Sequence, residues 1–261
     1  MTATGLELAG AGVVVTGAGS GIGAALATRF AAAGARVVVN DLDATAARTV
    51  ADRIGGHAAP GDAADPAEVA RLVEIAYGRL GRIDLFCANA GVAPGGGVDA
   101  DPDAWDSAWR VNVLAHVHAA RALLPYWLAA GRGRLVVTAS AAGLLTLLGN
   151  APYSVSKHAA LGFAEWLRAT YAHRGITVQA LCPQGVRTPM LAGGDGQLDA
   201  DALDPAQVAD CVVAALDGDG FLILPHPEVA TFYTRRATDP DRWLRAMNRV
   251  QQGLDAAADG R

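Results

Sequence analysis

The chain has 261 residues, 52% of them hydrophobic and 18% charged, which is enough apolar material for one large core. Its formal net charge of −5 argues against a nucleic-acid or anionic-membrane partner, because both select a basic face. No apolar run reaches the roughly 18 residues of a membrane-spanning helix, and no signal-peptide pattern is found. We therefore expect one cytoplasmic domain over residues 1–261, with a small-molecule partner.

Short apolar, β-branched runs alternate with alanine-rich stretches of helical length. The predicted strands are residues 13–16, 36–40, 83–88, 135–139, 177–182 and 221–224, and the predicted helices are residues 21–33, 66–79, 103–130 and 152–173. Continuously apolar strands are typical of a parallel sheet covered on both faces. The pattern predicts an α/β fold, a Rossmann-type doubly wound parallel sheet of about seven strands flanked by helices on both faces.

Two segments depart from this alternation. Residues 189–205 are rich in glycine and are predicted to be a mobile lid. Residues 226–261 form an arginine-rich C-terminal extension with aromatic side chains at helical spacing, for which packing against the core or a partner subunit is the favoured interpretation.

A glycine-rich turn joins the first predicted strand to the first predicted helix. Glycines in this setting let the backbone approach a pyrophosphate, and the helix presents free N–H groups and its positive end. A Gly-Lys-Ser/Thr ending is missing, so a dinucleotide is favoured over a nucleoside triphosphate. The residues predicted to contact it are Gly17, Gly19, Ser20, Gly21, Ile22 and Gly23.

Asp41 ends the second predicted strand, about 18 residues after Gly23. A carboxylate at this position accepts hydrogen bonds from both hydroxyls of an adenine ribose and repels a 2′-phosphate. This predicts NAD as cofactor, with NADP as the less favoured choice. The alternative is that Asp41 is a helix N-cap, a role that Asp43 fills equally well.

Tyr153 and Lys157 are four residues apart at the start of a predicted helix, so their side chains share one face. Lys157 is the only lysine among 21 basic residues. An adjacent ammonium favours the phenolate form of a tyrosine and predicts that Tyr153 exchanges a proton with substrate. Ser140 follows the strand at residues 135–139, at the sheet edge where ligands bind.

With these residues in place, the chain resembles the short-chain dehydrogenase/reductase family over about residues 6 to 225. Four motifs match in order: Thr16-Gly17-x-x-x-Gly21-x-Gly23, Asn89-Ala90-Gly91, Asn112, and Ser140 with Tyr153-x-x-x-Lys157. The resemblance implies an oxidoreductase in which Ser140 positions a carbonyl, Tyr153 is the acid/base, Lys157 also binds the nicotinamide ribose, and Asn112 holds a relay water.

The same resemblance extends the cofactor site. It implies cofactor contacts by Tyr153 and Lys157 themselves and by a further set: Asp62, Ala63, Asn89, Ala90, Gly91, Pro183, Gly185, Val186 and Thr188. A purely structural role remains open for two of these site residues. Asn112 could instead repair a distortion in a helix, and Asp62 could instead end a strand. At Gln184 this chain departs from the usual turn, and contact with substrate or with solvent are equally favoured.

The expected substrate is an apolar ketone or secondary alcohol. Residues 141–148 are almost wholly apolar, and Val92, Met190 and Leu191 are expected to line the same crevice, where Arg187 is the one obvious basic residue. A homodimer or homotetramer is expected, and no metal site, because His116 and His118 point to different sides of a helix. The alternatives are an NADP-dependent carbonyl reductase and a non-catalytic dinucleotide sensor.

Overall fold

The computed structural model describes residues 5–192 and 201–259, with side chains to residue 256. In this part of the chain the strands form one parallel sheet in the order β3-β2-β1-β4-β5-β6-β7. Their bounds are β1 (Gly12–Val15), β2 (Arg36–Val39), β3 (His57–Ala58), β4 (Leu85–Ala88), β5 (Gly133–Thr138), β6 (Ile176–Leu181) and β7 (Leu222–Ile223). The predicted fold class is confirmed.

Helices connect successive strands, and two more helices follow the last strand. In chain order the helices are α1 (Gly21–Ala32), α2 (Ala44–Ile54), α3 (Pro66–Leu80), α4 (Pro102–Trp109), α5 (Ala115–Ala130), α6 (Ala142–Leu145), α7 (Ala151–Tyr171), α8 (Pro189–Ala192), α9 (Pro205–Ala215), α10 (Glu228–Thr238) and α11 (Pro240–Asp259). Within the described residues, these helices are not both long and apolar enough to cross a membrane.

The strands are apolar throughout because successive side chains enter two different cores. Val14 and Phe86 pack in one cluster with side chains of α3, α5 and α7. Val13, Val15 and Cys87 pack in the other with side chains of α1, α2 and α9. Since successive residues of a strand point to opposite faces, a sheet covered on both sides needs apolar residues at every position.

The strand order reverses at β1, which lies between β2 and β4. The connections that leave β1 and β4 depart to opposite sides, so they part at the carboxyl edge and leave a crevice there. The loops after β1 to β6 open onto this edge and carry most of the predicted site residues, while Tyr153 and Lys157 lie in α7 and Asn112 lies between α4 and α5.

Two features differ from the sequence prediction, and a third, the lid, lies partly outside the described residues. Helix α2 and the short strand β3 are not among the predicted elements. For β3 the reason is that a two-residue strand has no periodicity to detect. The helix predicted over residues 103–130 is α4 and α5 joined by a five-residue π-helical segment, Arg110–Leu114. Of the predicted lid, residues 193–200 lie outside the described residues, and Leu203 pairs with Val186 in an isolated bridge. The single domain and the lid boundaries stay predictions.

Candidate active site

The glycine-rich turn between β1 and α1 is a tight backbone cradle. A Cβ atom at Gly23 would lie 2.2 Å from the carbonyl oxygen of Gly17, so glycine is required there for close packing. Helix α1 begins at Gly21, after Ser20 in an extended conformation. The arrangement brings helix N–H groups and the dipole's positive end to one point and fits the pyrophosphate of a dinucleotide.

Asp41 anchors this cradle to the end of β2. Its carboxylate accepts hydrogen bonds from the N–H of Gly19 at 2.8 Å and from the N–H of Asp43 at 2.9 Å. Asp43, not Asp41, is the N-cap of α2, since its side chain accepts from Thr45 and Ala46. The N-cap alternative therefore belongs to Asp43, and the Asp41 carboxylate lines the cleft where a ribose fits.

A chain of hydrogen bonds connects the ends of β1, β4 and β5. The amide of Asn89 donates to the Thr16 carbonyl at 3.0 Å, and its oxygen accepts from the Thr138 hydroxyl at 3.1 Å. The carbonyl of Thr138 then accepts from the Lys157 ammonium at 2.9 Å. The chain of bonds fixes Lys157 relative to the glycine cradle.

The Lys157 ammonium is buried away from water. Only 2% of the residue is exposed, and burial lowers its pKa to about 8 because the charged form loses hydration. Burial also lowers the pKa of neighbouring His116, to about 3, and the positive charge of Lys157 adds to this effect. Near neutral pH Lys157 is therefore mostly charged, and His116 is neutral.

Tyr153 lies beside this charge, with the Lys157 Nζ atom 5.6 Å from the centre of its ring. Desolvation raises the pKa of Tyr153, and a hydrogen bond with the side chain of Ser140 opposes the rise. The sequence prediction that the ammonium brings this pKa below its ordinary value is wrong for the protein alone, because desolvation is the larger effect. Tyr153 is accordingly a proton donor near neutral pH.

Ser140 connects Tyr153 to the turn after β6. Its buried hydroxyl donates to the carbonyl of Pro183 at 3.4 Å and accepts from the N–H of Ala142 at 3.1 Å. The N–H of Ala141 donates to the same Pro183 carbonyl at 2.8 Å. The hydroxyl that is expected to orient a substrate oxygen is thus held by two loops.

Asn112 lies in the π-helical segment, completely buried. Its amide oxygen accepts from the N–H of Val92, and its amide nitrogen donates to the Val92 carbonyl and to the Ser156 hydroxyl, each at 2.9 Å. These bonds tie the distorted helix to the loop after β4, as the alternative interpretation expects. The predicted relay water at Asn112 stays a prediction.

The predicted site residues meet in one cleft of about 940 Å³ at the carboxyl edge of the sheet. All of them line it except Gly19, which lies behind Asp41, and Asn112, which lies behind Val92. Asp62 and Ala63 line the cleft, while the Asp62 carboxylate accepts from the N–H of Ala64 at 2.8 Å and so also shapes its own loop.

The remaining wall of the cleft is apolar, as predicted. It is built from Val92, Ala93, Pro94, Leu145, Leu147, Leu148, Met190 and Leu191. Among the described residues that line the cleft, Lys157 is the only basic one. Arg187 pairs instead with Asp204, at 2.7 Å, outside the cleft. Among the described residues there is also no group of three potential metal ligands.

Several positioning residues escaped sequence analysis. Thr138 and Ser156 are bonded to predicted site residues, but their only sequence signal is a polar residue in an otherwise apolar segment. Thr146 has φ of +81°, a conformation that side chains other than glycine rarely adopt. Leu147, which follows Thr146, is held by the Ser154 hydroxyl, which accepts from the Leu147 N–H at 2.9 Å and donates to the Leu147 carbonyl at 3.0 Å.

Comparisons with known proteins agree with this geometry. A family model described as short chain dehydrogenase matches residues 11–197. The chain is 40% identical to 1-deoxy-11-beta-hydroxypentalenate dehydrogenase of Streptomyces avermitilis, over 84% of this chain and 85% of that protein. It is 36% identical to cyclohexanol dehydrogenase of an Acinetobacter strain, over 69% and 74%.

A solved structure of a short chain dehydrogenase/reductase from Burkholderia phymatum, in complex with NAD, is also similar. It has a TM-score of 0.83 and 28% sequence identity, over 90% of this chain and 96% of that chain. The similarity therefore covers both the cradle and the apolar wall.

We expect Lys157→Met to stabilise the protein, because a methionine of similar length fills the site without a buried charge. The folded-state pKa of Lys157, about 8, lies below its ordinary value of 10.5, so the cost of the charge is complete below pH 8 and declines as pH rises towards 10.5. Urea unfolding is expected to show the variant more stable at pH 6.5, with an advantage smaller by about 2 kcal/mol at pH 9.5. An advantage that is the same at both pH values would contradict the burial argument.

Proposed function

The chain belongs to the short-chain dehydrogenase/reductase family, and from this membership we propose that Tyr153 is its catalytic acid/base. The proposed reaction interconverts a secondary alcohol and a ketone on an apolar molecule that contains a carbon ring. The chain is an oxidoreductase that acts on CH–OH groups of small molecules, and NAD is its cofactor. The residues that do the chemistry and the identity of the substrate are what the proposal adds.

One observation carries the residue assignment. Ser140, Tyr153 and Lys157 converge where the glycine cradle meets the apolar wall of a single cleft. A hydroxyl, a phenol and an ammonium at this junction have no role in apolar packing, and keeping Lys157 charged costs folding free energy. Buried polar groups with shifted pKa values in a cleft support a catalytic assignment.

The nicotinamide ring, when bound, accepts or donates the hydride. In the alcohol-oxidising direction Tyr153 takes the hydroxyl proton, and in the reducing direction it returns that proton to the carbonyl oxygen. The Ser140 hydroxyl orients the same oxygen, and the Lys157 charge stabilises the Tyr153 phenolate, which accepts the proton in oxidation and is left after the proton is donated in reduction. The apolar wall excludes water, which strengthens each of these interactions.

The choice of NAD over NADP rests on Asp41. Its carboxylate lines the cleft next to Gly19 and fits the two hydroxyls of an adenine ribose. A 2′-phosphate at that place would meet a like charge and, among the described lining residues, no basic side chain nearby to offset it. The Asn89-Ala90-Gly91 turn and Thr188 are proposed to complete the cofactor site.

The substrate proposal rests on the composition of the wall. Leucine, methionine, valine and proline side chains recognise shape and hydrophobicity, and a phosphorylated or carrier-bound substrate would need a cation that this wall lacks among the described residues. The names of the two relatives, a hydroxypentalenate and a cyclohexanol dehydrogenase, indicate alcohols on carbon rings. An alicyclic secondary alcohol fits both lines of support.

A homo-oligomer and a cytoplasmic location belong to the same proposal. Tyr126, Val155 and Trp166 are large apolar side chains of α5 and α7 that are 46%, 50% and 56% exposed. Covering such side chains with a second copy of the chain removes apolar area from water. Size-exclusion chromatography with light scattering measures the resulting mass.

We expect NADH formation in a screen of alicyclic secondary alcohols, and NADH consumption with the matching ketones, at rates that Tyr153→Phe lowers at least about a thousandfold. Because desolvation raises the pKa of Tyr153, kcat/KM for oxidation should climb with pH while reduction stays level into the alkaline range. Fluorescence titration should show that the variant still binds NAD, so that the lost rate does not come from an empty cofactor site. Near-normal turnover by Tyr153→Phe would remove the tyrosine from the mechanism.

We also expect NAD to bind more tightly than NADP, and Asp41→Ser to reduce this preference at least about tenfold through the lost repulsion of the 2′-phosphate. Dissociation constants for both nucleotides measure it. The matched control is Asp43→Ser, which keeps a helix cap and leaves the Asp41 carboxylate in place. Tighter NADP binding by the unaltered chain would refute the assignment.

A further inference from the structure

The segment that follows β7 contacts the turn after β6 and helix α6, two elements that line the substrate half of the cleft. It comprises His226, the start of α10 and, two turns along that helix, Arg236. Val229 in α10 is fully buried, and Phe232 packs against the core beneath the sheet edge. The segment is therefore part of the folded body, and its two polar contacts are made to elements that line the cleft.

His226 holds the turn after β6. This buried imidazole accepts, through Nδ1, a hydrogen bond of 3.2 Å from the N–H of Gln184. Since Nδ1 is the acceptor, the proton of the neutral ring is on Nε2. On the other side of the same turn, the Pro183 carbonyl is held by Ala141 and Ser140, and the Gly185 carbonyl accepts from the N–H of Leu203 at 3.0 Å.

Gln184 is thus the side chain presented by a turn that is fixed on every side. It lines the active-site cleft and also a second cavity of about 490 Å³, whose other walls include His226 and Phe232. A polar side chain between the two spaces points to one or the other according to how the turn is held. The bond that the Gln184 N–H donates to His226 is one of the contacts that hold this turn.

Arg236 contacts the second of these elements, helix α6. Its guanidinium donates to the carbonyl of Leu144, in helix α6, which α10 contacts directly. The next residue, Leu145, lines the cleft, and Thr146 follows in its strained conformation. A strained turn persists only where its surroundings hold it, and here the guanidinium and Ser154 do so from two sides.

We propose that His226 and Arg236 are positioning residues through which the C-terminal segment sets the width of the substrate pocket, and that Gln184 is the specificity-determining side chain that His226 orients. The inference rests on the proposed function. It explains how a segment outside the catalytic motifs selects among alicyclic alcohols of different size. Of the two interpretations of Gln184, the proposal adopts contact with substrate.

The first experiment measures the ratio of kcat/KM for a bulky bicyclic alcohol to that for cyclohexanol with NAD. In His226→Leu the turn loses its acceptor, and we expect this ratio to change at least about fivefold, mostly through KM, since misplaced walls weaken binding before chemistry. His226→Asn, whose amide oxygen can accept the same bond, should restore the ratio. His173→Leu, at an exposed histidine, is the matched control.

A double-mutant cycle tests the route through Gln184. Gln184→Gly removes the side chain and keeps the N–H donor, so His226→Leu should have little further effect on the ratio in that background. Arg236→Met should change the ratio independently, with exposed Arg242→Met as its control. Effects of His226 and Gln184 that add, or a ratio unchanged in both His226→Leu and Arg236→Met, would overturn the proposal.

A second measurement does not depend on turnover. Hydrogen exchange of the peptide that contains Gln184 should be faster in His226→Leu than in the unaltered protein and unchanged in His226→Asn, because a bonded amide is protected. An unchanged exchange rate in His226→Leu would overturn the proposal that His226 holds the turn, even if the enzyme is active. Failure of the proposed function would give a different result. The unaltered protein would oxidise no alcohol, while hydrogen exchange would still show that the Gln184 N–H is protected.

Discussion

The hydrogen bond from the buried ammonium of Lys157 to the Thr138 carbonyl is the contact on which the site depends. It places a positive charge at the end of β5, where desolvation opposes it and no nearby carboxylate among the described lining residues compensates. The hydroxyl of the same residue, Thr138, donates to Asn89, whose amide donates to the Thr16 carbonyl, so the charge is positioned relative to the glycine cradle. Charge, phenol and cofactor cradle are thereby fixed as one unit.

The free-energy cost of burying this charge is offset by the packing of the sheet. Strands with apolar residues at every position bury both faces, and the two cores on either side hold β1, β4 and β5 in register. Because these strands are parallel, their carboxyl ends lie at one edge, where the polar residues that follow them meet the side chains that α7 contributes. Rigidity comes from the apolar layers and chemistry from the residues just beyond them.

The sequence was sufficient for the fold and for most of the cleft, because apolar runs, glycine spacing and the Tyr153/Lys157 pair are local signals. It was insufficient where an interaction joins distant segments. Nothing local in Thr138 distinguishes a carbonyl that binds an ammonium, and the π-helical segment around Asn112 has the same periodicity as a plain helix. The sign of the Tyr153 pKa shift likewise depended on burial, which only the folded chain reveals.

The central claim is that the Lys157 ammonium is required for turnover, and the chain provides a direct measurement because Lys157 is its only lysine. An amine-selective acylating reagent is added with and without NAD, mass spectrometry determines the fraction of Lys157 modified, and NADH formation from an alicyclic alcohol is assayed in parallel. The account predicts that lost activity follows the modified fraction in proportion and that bound NAD protects both. Normal turnover by protein fully acylated at Lys157 would contradict it.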